Sequence, residues 1–296
     1  MKRASRTAEA ALAVRAAHHL HASNPKLIEA PLAYKMVHPL WRLIIGNRYV
    51  FRFMVGGPMK TKSGIFGCVI GRTRFTEDAL KESASQGITQ YVLLGAGLDS
   101  FPYHQPAWAR RLQIIELDHP LTQSVKLDRL RAQGIPVASN VAHLPIDFSH
   151  ELIAEKLSDS KSKFDHTRPA FFSWLGVAYY LKKDTIEDLF ASLGVLCTPG
   201  TRIVFDYFDD SALEDSADPT IKQIIGFAQK RGEPIVSGFA AEELRTILAR
   251  NGWKIIRSYS PEEQNRIYFK NRPDKLTASA HVHFAMVELQ STPKLI

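Results

Sequence analysis

Leu94-Gly95-Ala96-Gly97-Leu98-Asp99 constrains this chain more than any other stretch. It follows Tyr91-Val92-Leu93-Leu94, which reads as a buried strand. Glycine lacks a Cβ and tolerates positive φ, so a glycine-rich turn directly after a strand lets a ligand approach the backbone closely. The pattern predicts a Rossmann-type nucleotide site. Asp99 falls where a dinucleotide's pyrophosphate would lie, and a carboxylate there repels phosphate. Glu116 and Asp118 end the next apolar strand, at the spacing where an acid takes a ribose hydroxyl. Such a site asks for a nucleoside without phosphates that carries positive charge. S-adenosylmethionine, with its adenosine, sulfonium and ammonium, has that chemistry.

The rest of the chain supplies the frame for such a turn. From about residue 88 short apolar runs alternate with amphipathic stretches, the signature of βαβ units in a parallel sheet. Strands are expected at Tyr91–Leu94, Gln113–Leu117, Val141–Leu144, Ala170–Trp174, Arg202–Tyr207, Trp253–Arg257 and His281–Leu289. Asp184-Thr185-Ile186-Glu187 has the form of a capping box before Ile186, Leu189, Phe190 and Leu193, which recur at helical spacing. A further helix is expected from Glu242 to Ala249, closed by Asn251-Gly252. Pro261 to Lys275 is polar and reads as a long loop. Residues 1–85 read as helical, starting with Thr7 to Ala22 and broken at Pro25 and Pro31. The expected organisation is an N-terminal helical lid over 1–85 integrated with an α/β ligand-binding domain over 86–296.

Composition narrows the partners. The 296 residues are 45% hydrophobic and 23% charged, ordinary for a globular chain, with a formal charge of +8. Lys and Arg are scattered and do not interleave with aromatics in any nucleic-acid motif, so nucleic acid is not expected as a partner. Cys68 and Cys197 lack metal spacing and read as reduced core thiols of a cytoplasmic protein. His18, His19 and His21 have no nearby carboxylate or cysteine partner and suit a helix C-terminus better than a metal, so no metal is expected. Glu9 and Arg15 interrupt the apolar stretch a signal peptide needs. Trp41 to Val55 is cut by Arg42, Asn47, Arg48 and Arg52, too polar for a membrane span. It is read as helices packed on the main domain, the rival reading being a membrane-surface or partner-binding helix.

Gly95-Ala96-Gly97-Leu98-Asp99-Ser100 resembles the first motif of the leucine carboxyl methyltransferase family, which includes many bacterial S-adenosylmethionine-dependent methyltransferases of small molecules. Further motifs lie in register. They are Arg72-Thr73-Arg74-Phe75, Glu116-Leu117-Asp118-His119-Pro120, Pro145-Ile146-Asp147-Phe148, Trp174-Leu175-Gly176-Val177 with Tyr180-Leu181, Phe205-Asp206-Tyr207 and Gly232-Glu233-Pro234. The resemblance implies a class I methyltransferase: a Rossmann-like seven-stranded sheet with helices on both faces. It also implies roles. Arg72 would pair with the cofactor's carboxylate. Gly95 and Gly97 would admit its methionine part, and Asp118 would accept from the ribose diol. Glu116 would share that task or sit in a structural ion pair. Asp147 and Phe148 would hold the adenine. Leu175 stands where leucine carboxyl methyltransferases proper have a glutamate, leaving only backbone near the cofactor.

Methyl transfer is an in-line displacement accelerated mainly by positioning and desolvation. A carboxylate acceptor needs no base, whereas a hydroxyl needs one or a polarising partner. Tyr180, Tyr207, Asp206 and His104 are the candidates near the strand ends. Arg74, close to Arg72, is read as a second guanidinium that holds an anionic acceptor, unless it pairs with Glu77 or Asp78 on its own helix. The expected acceptor is a small acidic or phenolic molecule. Two alternatives stand beside this reading: a nicotinamide-dependent oxidoreductase, with Ser100 in place of the third glycine, and a non-catalytic protein that kept the fold.

Overall fold

The computed structural model describes residues 5–50, 63–148, 150–214, 219–230 and 232–292. Its centre is a seven-stranded sheet formed by β1 (Gln90–Leu94), β2 (Gln113–Asp118), β3 (Val141–Pro145), β4 (Phe171–Trp174), β5 (Arg202–Phe208), β6 (Trp253–Tyr259) and β7 (Val282–Leu289). The order is β3-β2-β1-β4-β5-β7-β6. β1 to β5 pair in parallel, and β7 runs antiparallel between β5 and β6. The chain winds outward from β1 to β3, then crosses back to start β4 against β1. That reversal opens a crevice beyond the carboxyl ends of β1 and β4, where open α/β sheets bind ligands. All seven strands expected from sequence are present, each within a few residues of its expected bounds.

Alternation along the strands divides the core. Val92, Leu94, Ile115, Phe172 and Trp174 face one side, packed with Ile186, Phe190 and Leu193 of α7 (Lys183–Leu196) and Leu244 and Leu248 of α9 (Ala241–Arg250). Tyr91, Leu93, Ile114, Phe171 and Val204 face the other, packed with Phe75, Ala79, Leu80 and Ala84 of α4 (Ser63–Ser85). A third cluster joins α1 (Arg6–His21), α2 (Ala33–Met36) and α3 (Pro39–Ile45) through Leu12, Ala16, Met36 and Ile45 to Ile70 of α4 and Leu98 of the glycine turn. The remaining helices are α5 (Pro120–Ala132), α6 (Ile153–Ser158), α8 (Pro219–Gln229) and α10 (Pro261–Gln264). His18 is buried near the end of α1 and accepts the Leu27 amide at 3.2 Å. Burial lowers its pKa to about 4, so the ring is a neutral acceptor.

Three local expectations are corrected. α7 begins at Lys183 with no side-chain cap, so Asp184 lies inside the first turn, where it complements the helix dipole, and forms no capping box. A capping box does occur at Ser260, whose hydroxyl accepts from the Glu263 amide while Glu263 accepts from the Ser260 amide. It starts α10 within the polar segment expected to be loop, and a π-helical turn, Asn265–Phe269, follows. Buried Gln264 anchors this segment by donating to the carbonyls of Tyr259 and Val282. Finally, α3 is not packed along its length. Ile45 is buried, but Leu40 and Leu43 are 67% and 81% exposed. Residues 51–55 of the expected helical stretch lie outside the described residues.

Candidate active site

A cleft of about 340 Å³ occupies the crevice. Its floor is the turn after β1. The amides of Gly95 and Ala96 donate to Leu117 O at 2.9 and 3.0 Å, stitching the turn to β2. Gly95 and Gly97 have φ of +71° and +51°, a region that penalises any side chain. A Cβ on Gly95 would also lie 2.7 Å from Val177, which lines the opposite wall. Asp118, at the end of β2, accepts the Gly97 amide on one oxygen and the His119 amide on the other, the latter at 2.6 Å. Each carboxylate oxygen keeps a lone pair after those bonds, and Asp118 lines the cleft. Burial raises its pKa, against the Gly97 amide and Lys126.

The far wall centres on Arg72 of α4. Its guanidinium donates to Asp206 at 2.8 Å and to the Tyr179 hydroxyl at 3.1 Å. Asp206 is fully buried in β5 and also accepts the Gly176 amide at 2.7 Å. Burial disfavours the Arg72 cation, but Asp206 more than compensates and keeps it charged. Gly176 has φ +72°, and a Cβ there would lie 2.7 Å from both terminal nitrogens of Arg72. Gly176→Ala should therefore cost about 1–2 kcal/mol from the backbone alone. It should also displace the guanidinium, a shift visible by calorimetry as weakened S-adenosylhomocysteine binding. Unchanged affinity would remove Arg72 from the ligand's reach.

α1 roofs the cleft with Thr7, Ala8, Ala11 and Arg15, Ser5 capping the helix. Ser5 donates to Glu233 at 3.1 Å, and Thr7 donates to the other Glu233 oxygen. Tyr180 lines the same end, its hydroxyl hydrogen-bonded with Thr7. Burial, with Glu233 adding to it, raises the Tyr180 pKa to about 12, so the phenol is a neutral donor rather than a base.

Arg15 pairs with Asp99 at 3.3 Å and donates to Thr73. Burial works to raise the Asp99 pKa, but Arg15 and the Phe101 amide outweigh it and hold it below the ordinary value. This corrects the sequence argument from Asp99. Its charge is matched by a guanidinium, and it is absent from the cleft lining, so it does not act as a lone repulsive carboxylate. Glu77 lies in the same electrostatic neighbourhood. Burial, reinforced by Asp99, raises its pKa to about 8 from 4.5. The folded state then keeps a proton that the unfolded chain releases. Stability should fall as pH rises from about 4.5 to about 8, and level off above. Glu77→Gln should abolish that decline in melting temperature; an unaltered slope would assign it to another group.

Seven of the expected site residues meet at the cleft: Arg72, Gly95, Gly97, Asp118, Phe148, Leu175 and Tyr180. Five do not. Glu116 is 1% exposed and binds Lys126 through both oxygens at 2.8 Å, with Tyr103 donating at 3.1 Å. Two residues earlier on β2 than Asp118, it shares its face but lies deeper, under α5. Asp147 stands beside the lining residue His119, 3.6 Å from its ring, while its carbonyl accepts the amides of His150 and Glu151. His104 is pinned to the carbonyls of Ser100 and Glu29 at 2.6 and 3.1 Å. Tyr207 follows Asp206 on β5 and so points to the opposite face, stacked on His283 with ring centroids 5.2 Å apart. Arg74 binds Asp78 on its own helix at 2.8 Å and Leu27 O at 3.1 Å, half-exposed and outside the cleft. Sequence reasoning missed Ser5, Thr7 and Arg15 as wall residues, and His119 entered only as part of a motif. Glu233 was visible only as part of a motif.

Comparison with known proteins identifies the family. The profile described as leucine carboxyl methyltransferase matches residues 8–194. The chain belongs to the leucine carboxyl methyltransferase family. A Bacillus subtilis relative named as an S-adenosyl-L-methionine-dependent methyltransferase, YktD, is 32% identical over 73% of this chain and 70% of its own. A Mycolicibacterium smegmatis relative with the same description is 32% identical over 61% of this chain, which spans 57% of that relative's length. A solved structure from Thermobifida fusca, described as a methyltransferase, superposes with a TM-score of 0.60 at 15% identity, covering 93% of this chain and 97% of its own.

Membership makes this protein a methyltransferase that uses S-adenosyl-L-methionine. The cleft fits that cofactor on its own evidence. A buried carboxylate with spare lone pairs stands at one end and a compensated guanidinium at the other. Between them runs a floor whose glycines leave no side chain in the way.

Proposed function

We propose that the enzyme O-methylates a small molecule at a carboxylate or hydroxyl oxygen. One observation carries the reading: the end of the cleft under α1 is lined by the Tyr180 hydroxyl, the Glu233 carboxylate and the hydroxyls of Ser5 and Thr7. That is a hydrogen-bonding surface for an oxygen acceptor, in a cleft of about 340 Å³ shared with the cofactor. In this reading Arg72 holds the cofactor's carboxylate, Asp118 accepts from its ribose diol, and Phe148 packs against the adenine. S-adenosyl-L-methionine supplies an electrophilic methyl group. The chain's task is then to align the acceptor and exclude water. Thr7 gives its one proton to Glu233, so the Tyr180 hydroxyl donates to Thr7, and a bound acceptor oxygen takes over that hydrogen bond and is oriented by it. Glu233 takes the proton from a hydroxyl acceptor, and a carboxylate acceptor leaves Glu233 with no proton to take.

The acidic preference expected from Arg74 loses its support, because Arg74 does not reach the cleft. The guanidinium groups that do, Arg15 and Arg72, are each matched by a carboxylate. The test is transfer of labelled methyl from S-adenosylmethionine to a small-molecule extract, with mass spectrometry of the product. Mild alkali then sorts the acceptor, since methyl esters hydrolyse and methyl ethers survive. Label on nitrogen, on sulfur or on a protein would refute the proposal.

A further inference from the structure

The N-terminal region carries a feature that methyl transfer does not use. From Ala30 to Lys62 the sequence has six Lys or Arg and no Asp or Glu. Within that stretch α3 and residues 46–50 after it carry outward apolar side chains. Leu40, Leu43 and Tyr49 are 67%, 81% and 78% exposed, and Ile44 and Val50 are also exposed. Single exposed apolar side chains are common, but five within eleven residues form a patch. Cations frame it: Lys35 and Arg48 are exposed and Arg42 is half-buried.

Of the nearby acids, Glu9 is matched by a guanidinium. Glu9 accepts the His38 amide at 2.7 Å and pairs with Arg129 at 2.6 Å. Glu29 pairs with His19 at 2.9 Å.

We propose that this face docks the protein on an anionic lipid surface. Charge complementarity selects the occupant. Apolar side chains interspersed with Lys and Arg suit an interface where acyl chains and anionic headgroups meet in one plane. Long basic side chains can lie along the apolar layer and keep their charge at headgroup level. The exposed aromatic ring of Tyr49 adds a group that favours that boundary. A fluid surface also needs no matched shape, and α3, seven residues long, presents none. The patch lies beside the roof of the active site. A second cleft of about 280 Å³, lined by Leu40 and Trp41 of α3, shares Ser5 and Leu98 with the first. A bilayer under α3 would therefore sit next to the route by which an amphipathic acceptor could enter.

Sedimentation of the full chain with lipid vesicles tests this. Vesicles of phosphatidylcholine containing phosphatidylglycerol should carry the protein down, pure phosphatidylcholine should not, and added salt should release it. Leu40→Ser with Leu43→Ser should weaken binding by about tenfold or more. Arg48→Glu should weaken it by at least about fivefold. In each variant the melting shift given by S-adenosylhomocysteine should be unchanged, which separates loss of docking from loss of fold or of cofactor binding. The proposal fails if anionic vesicles bring down no protein, if both vesicle types bind equally, or if the variants bind as before. It also fails if the substitutions abolish self-association of a chain that does not bind lipid, which would make the face an interface between copies.

Discussion

Arg72→Met should lower stability by about 3–5 kcal/mol, because it strands the fully buried Asp206 carboxylate without its counter-ion. It should also abolish S-adenosylhomocysteine binding, and the two effects can be separated. Pairing Arg72→Met with Asp206→Asn removes the orphaned charge while keeping an acceptor for the Gly176 amide. Urea unfolding should then recover much of the lost stability, since a buried ion pair is often worth little relative to a neutral replacement. Calorimetry should still show no binding. A double variant that binds at full strength would reduce Arg72 to a structural residue.

Asp118→Ala should weaken S-adenosylhomocysteine by about 1–3 kcal/mol, as a ribose hydroxyl pair loses its acceptor. A pH titration gives an independent signature. Burial raises the Asp118 pKa, so its acceptor function should fail on acidification at a higher pH than for an exposed aspartate. Affinity in the native enzyme should fall along that curve. In Asp118→Asn, which has no carboxylate to protonate, the fall should disappear. Equal affinity in folded Asp118→Ala would move the ribose elsewhere.

The parts of this molecule legible in the sequence were those set by local periodicity and by turn chemistry. Buried parallel strands such as Gln90–Leu94 announce themselves as apolar runs, and glycines at positive φ mark the turn that follows. The site was legible where one residue type suits one position, as with Gly95, Gly97 and Asp118, while Arg72 entered only through the family resemblance. It was not legible where a side chain's direction decides. Tyr207 and Asp206 are neighbours in sequence, yet the pleat sends one to the cleft wall's support and the other to the far face. Glu116 and Asp118 share a face of β2, and only the depth of the crevice separates an ion-pair residue from a lining one. Partners distant in sequence were equally hidden. Nothing local joins Ser5 and Thr7 to Glu233, or Arg15 to Asp99.

α4 places Phe75, Ala79 and Leu80 in the core of the sheet and, one turn earlier, Arg72 at the cleft. Peeling this helix away would uncover the face of β4, β5 and β7 on which it packs. Its amides should therefore exchange with solvent in the slowest class, together with those of the strands, and only through global unfolding. The cation that faces the cleft and the carboxylate that fixes it thus belong to one cooperative unit. Arg72 should therefore be released only when the sheet itself unfolds.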